Sequence, residues 1–66
     1  MAEFSKEIAR YSEFRLQATE DLSYIMEACD RGDLVEAEFS DIIKNLKMSV
    51  IIFDRLIEDF ERHDSA

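Results

Sequence analysis

Apolar residues recur every three or four positions along the first half of the chain. The series is Phe4, Ile8, Tyr11, Ala18, Leu22, Ile25 and Cys29. Alternating spacings of four and three are typical of one helix face that packs against a second helix. Arg15 occupies the one charged position in this series. The pattern predicts helix 1 over about residues 3–31.

The helical pattern stops at Gly32, the single glycine of a chain that contains no proline. Glycine is favoured just past a helix end because it adopts left-handed backbone angles without steric cost. Asp33 and Glu36 have the spacing of a capping box, which satisfies backbone N–H groups of a new helix. We therefore expect a turn over residues 31–33 and helix 2 over about residues 34–63, with a second possible helix start at Ser40.

Helix 2 carries its own heptad pattern. Its predicted core series is Val35, Phe39, Ile42, Leu46, Ser49, Phe53, Leu56, Phe60 and His63. Folding the chain about Gly32 brings the two series into register, with Phe4 level with Phe60 and Tyr11 level with Phe53. The sequence thus predicts an all-α protein, an antiparallel two-helix hairpin resembling a coiled coil, with residues 1–66 in one domain.

The polar interruptions of the two series fall in the same layer, since Arg15 comes level with Ser49. One interpretation is a polar core layer made by Arg15 and Ser49, joined by Glu13 or by an acid of a second subunit, which would fix register. The other interpretation places Arg15 at the edge of the seam, with its aliphatic stem packed and its charge in water.

Helix 2 has more apolar surface than one partner helix covers, because Ile43, Val50 and Ile57 widen its stripe. Residues 42–53 contain no acid, only Lys44 and Lys47. An apolar middle between charged ends favours an interface. The predicted interface residues are Phe14, Leu16, Met48, Val50, Ile51 and Ile52. We expect a homodimer that forms a four-helix bundle, or a complex with another protein chain.

The net charge of −8 argues against direct binding of nucleic acid or anionic membranes, since both require basic residues. The longest apolar run, residues 48–53, is too short for a membrane span. The N-terminal sequence has no apolar core of a signal peptide, and the single cysteine suits a reducing compartment, so we expect a cytoplasmic protein.

Catalytic signals are missing from the sequence. The acids stand in outward positions, and no nucleophile, base and orienting group occur together, so we expect no enzyme, no cofactor and no small-molecule substrate. His63 follows Phe60 rather than a glutamate at the spacing of a di-iron motif, so no metal site is predicted. Cys29 is interpreted as a small core residue because acids surround it.

The segment 31–34 with Glu36 resembles the turn of small helical-hairpin accessory proteins. The small subunit of exodeoxyribonuclease VII is similar around its glycine-aspartate-leucine turn. Co-chaperones of type III secretion needle subunits are similar in length and in the place of the turn. The likeness covers the turn and the heptad hydrophobicity only, favours neither family, and lacks the leucine-rich acidic flank of the nuclease subunit. No family is assigned from it.

These features lead to two functional hypotheses. The first is a protein–protein interaction module, such as an adaptor, chaperone or regulatory subunit, that acts through its apolar middle. The second is an acidic inhibitor or nucleic-acid mimic that occupies a basic groove of a target protein.

Overall fold

The computed structural model describes residues 3–65. Two helices, α1 (Ser5–Asp30) and α2 (Glu36–Ser65), pack against each other, and the described residues contain no strand. The predicted all-α helical hairpin is confirmed. The rod measures 49 × 14 × 11 Å. Residues 1, 2 and 66 of the predicted domain lie outside the described residues.

The turn is a Schellman motif built on Gly32, whose φ is +84°. The Gly32 N–H donates to the carbonyl of Cys29 at 3.1 Å, and the Asp33 N–H donates to the carbonyl of Ala28 at 2.9 Å. These two bonds satisfy carbonyls that the end of α1 would otherwise leave unpaired. The chain therefore reverses at the position that the glycine predicts.

The predicted capping box is wrong. α2 begins at Glu36, so Val35, which has no side-chain acceptor, stands at the N-cap position. The Asp33 carboxylate instead accepts a hydrogen bond from Arg31 Nε at 3.1 Å. The helix then continues unbroken past Ser40, so the second possible start is not used.

The side of α1 that faces α2 is the predicted one. Ala18 is buried, and the other members of the series are half-buried: Phe4, Ile8, Tyr11, Arg15, Leu22, Ile25 and Cys29. The register at the open end of the hairpin is also as predicted. Ring centroids are 5.1 Å apart for Phe4 and Phe60, and 6.0 Å apart for Tyr11 and Phe53.

The side of α2 that faces α1 differs from the prediction. Ile57 is only 4% exposed, whereas Ile42 is 45% exposed and Val35 is 57% exposed. Between positions 39 and 60, the residues of α2 that are buried or half-buried are Phe39, Ile43, Leu46, Ser49, Val50, Phe53, Leu56, Ile57 and Phe60. The helix is turned only part of the way: Ile43, Val50 and Ile57 come towards α1, while Ser49 and Leu56 of the predicted series stay half-buried.

Candidate interaction surface

The predicted interface residues lie around the middle of the rod, and most of them are exposed. Phe14, Leu16, Met48, Ile51 and Ile52 have exposed fractions between 46 and 59%. Val50 is the exception, because the rotation of α2 leaves it half-buried on the side towards α1. The exposed part of the predicted interface thus lacks Val50.

Phe14 is held in place by aromatic neighbours although it is exposed. Its ring centroid lies 5.9 Å from that of Tyr11 and 5.7 Å from that of Phe53. Such ring contacts add about 0.5–1.5 kcal/mol beyond the area that they bury. The ring is therefore a fixed feature of the surface, with close to half of it open to solvent.

The two sides of α2 that border the α1 contact differ in polarity. We name the residues Val35, Ile42, Ser49 and Leu56 the apolar flank, and the residues Lys47, Asp54 and Glu61 the polar flank. Each set repeats every seven residues, so its members lie nearly above one another on the helix. Successive residues are about 100° apart around a helix, which places the two flanks on opposite sides of the row Ile43, Val50 and Ile57.

Arg15 of α1 lies on the same side of the hairpin as the polar flank of α2. Its Nη1 lies 2.6 Å from Asp54 Oδ1, and the two side chains are 38 and 55% exposed. The Ser49 hydroxyl donates to the carbonyl of Asn45 in its own helix at 2.9 Å. Within the hairpin Arg15 thus pairs with Asp54 and not with Ser49, and it lies at the edge of the helix contact with its charge at the surface.

The acidic side chains lie on either side of segment 42–53 and not within it. Every described acidic side chain is exposed except that of Asp64, which is half-buried. Asp64 Oδ1 accepts a hydrogen bond from the Phe4 N–H at 3.0 Å and so ties the two helices together at the open end. Lys44 and Lys47 are the charged residues of segment 42–53, so this segment is positive while the rest of the rod is acidic.

The described residues contain neither a cluster of metal ligands nor a membrane-spanning helix. No group of three or more His, Cys, Asp or Glu side chains among them is placed to hold a metal ion. Neither α1 nor α2, over the described range, combines the length and hydropathy needed to cross a bilayer.

The half-buried thiol of Cys29 lies beside a shallow depression near the turn, lined by Met26, Cys29, Asp30, Glu36, Ile43 and Lys47.

Two features of this surface were missed from the sequence, namely the exposure of Ile42 and the pairing of Arg15 with Asp54. The sequence held only a weak signal for the first: Ser49 interrupts the apolar flank, while Ile43, Val50 and Ile57 are all apolar. No protein-family model matches the chain, and neither a curated protein nor a solved structure matches it.

Proposed function

We propose that this chain is a small acidic protein–protein interaction module, of the adaptor, chaperone-like or regulatory-subunit kind. It acts in the cytoplasm through the apolar middle of the hairpin, without catalysis. The observation that carries the proposal is the set of large apolar side chains exposed together in this region: Phe14, Leu16, Ile42, Met48, Ile51 and Ile52. Each large side chain that a partner buries fully contributes about 1.5–3 kcal/mol.

The small interior of the hairpin supports the same proposal. Only Ala18, Ala28 and Ile57 are buried among the described residues. A core of two alanines and one isoleucine leaves little to offset the conformational entropy that folding costs. A partner chain supplies the missing burial, and the commonest partner is a second copy, which would make a four-helix bundle.

The test is the mass in solution across a dilution series, with helicity followed on the same samples. We expect a helical dimer of about twice 7.8 kDa. Ile51→Asp and Ile52→Asp each place a charge in the apolar middle, and we expect at least one of them to prevent assembly. Tyr24→Asp is the matched control, because Tyr24 is exposed but lies outside the apolar middle. Normal assembly of both isoleucine variants would contradict the proposal.

The alternative is an acidic inhibitor or nucleic-acid mimic that fits a basic groove. The exposure of nearly all described acids and the net charge of −8 favour it. Binding of this kind weakens steeply as salt rises, whereas binding through apolar burial does not. Measuring the affinity for a captured target at two salt concentrations distinguishes the two functions, and an affinity indifferent to salt rejects the mimic.

A further inference from the structure

We infer that the apolar flank of α2, together with Phe14, is the surface on which a second copy of this chain packs. The two α2 helices run antiparallel about a twofold axis that passes near Ser49. This inference rests on the proposed function, and it commits the interface to one side of the hairpin. Ile52 lies in this interface. Leu16 and Ile51 lie on the other side of the hairpin and stay in solvent.

The amount of exposed surface fits a second copy. The accessible surface of the hairpin is 5301 Å², whereas a compact monomer of 7.8 kDa is expected to have about 4,400 Å². The excess of roughly 900 Å² is close to the ~800 Å² that each partner buries in an interface of standard size. One further hairpin laid along this one therefore covers the surplus.

The apolar flank is complementary to itself when it is reversed. Ile42 and Leu56 each lie seven residues from Ser49, on either side of it. A twofold axis at Ser49 brings Ile42 of one copy against Leu56 of the other, twice, as an isologous interface requires. An apolar pair thus forms on each side of the axis.

Ser49 is suited to the centre of such a contact. Its side chain is small, which lets two helix backbones approach closely. Its hydroxyl donates to the Asn45 carbonyl within the same helix at 2.9 Å, so burial does not leave an unpaired donor. Ser49 therefore costs less to bury than its polarity alone suggests.

The polar flank is a poor alternative for the same partner. Burying it would take Lys47 and the Arg15–Asp54 pair out of water, and the desolvation of such charges offsets much of their attraction. Successive residues of a helix point about 100° apart. Because Arg15 points towards Asp54, its neighbour Phe14 points towards the opposite side of the hairpin, where the apolar flank lies. Phe14 and Ile52 therefore border the apolar flank and enlarge it.

The experiment places single cysteines on the two flanks in a Cys29→Ser background. Ser49→Cys is the test variant, and Lys47→Cys, two residues away on the polar flank, is its matched control. The reagent is a bismaleimide that spans roughly 8 Å, the distance between packed helices. We expect a covalent dimer with Ser49→Cys and none with Lys47→Cys.

A second pair of variants tests the helix direction and also covers a failure of Ser49→Cys to fold. A mixture of Ile42→Cys and Leu56→Cys should give more cross-linked dimer than either variant alone. Cross-linking of each variant with itself, with less cross-linked dimer in the mixture than in either variant alone, means a parallel arrangement and overturns the inference.

The mass of the unmodified protein in solution distinguishes a wrong choice of surface from the absence of a homodimer. A dimer that is cross-linked through Lys47→Cys and not through Ser49→Cys overturns the inferred surface but leaves the interaction module standing. A protein that remains a monomer over the whole dilution series overturns the homodimer and the inferred surface together.

Discussion

Ile57→Ala is the sharpest test of how α2 is rotated against α1. Ile57 is 4% exposed, whereas Ile51 on the outer side of the same helix is 53% exposed. Removing three carbon groups from a buried isoleucine forfeits about 2.4 kcal/mol at ~0.8 kcal/mol each. The cavity left behind raises the expected loss to about 2–5 kcal/mol.

Ile51→Ala is the matched control, since it removes the same atoms from a side chain that is already half in water. We expect a loss of about 1 kcal/mol or less there. Urea unfolding followed by helicity measures both, at one fixed protein concentration because any dimer makes stability depend on concentration. Equal losses at the two positions would refute the assignment of Ile57 to the side facing α1.

Three further predictions concern single contacts of the hairpin, and urea unfolding checks each of them. Gly32→Ala should lower the free energy of unfolding by about 1–2 kcal/mol, because the φ of +84° strains any residue with a Cβ and no neighbour lies within 4 Å to compensate; a neutral result would mean that the turn relaxes. A double-mutant cycle on Arg15 and Asp54 should give a coupling of about 0.2–1 kcal/mol that falls with salt, since both side chains are partly exposed; a coupling several times larger would contradict the edge position. Asp64→Ala should cost about 1 kcal/mol by removing the acceptor of the Phe4 N–H, whereas Asp64→Asn should keep most of the stability because it keeps an oxygen acceptor.

The sequence was sufficient for the hairpin, its turn and the face of α1. A single apolar row on α1 leaves one way to pack it, and Gly32 leaves one place to reverse the chain. Both signals are local, so a single sequence reveals them.

The rotation of α2 could not be predicted in the same way. Its rows beginning at Ile42 and at Ile43 are both apolar enough to face α1, and periodicity alone does not rank two adjacent rows. The choice depends on which row packs better against the actual side chains of α1. The rotation of α2 also determines the partner of Arg15, because it brings Asp54 and not Ser49 within hydrogen-bond distance of the guanidinium.

The aromatic cluster at the open end of the rod has a consequence for how the hairpin opens. Among residues 3–65, the ring contacts lie in the half of the hairpin that is far from the turn, and they involve Phe4, Tyr11, Phe14, Phe53, Phe60 and His63. Contacts there close the longest loops, and each doubling of loop length costs about 0.6 kcal/mol of chain entropy. Without the rings, the helices would separate from this end first. With them, ring packing stabilises the hairpin at the end where closure costs the most chain entropy.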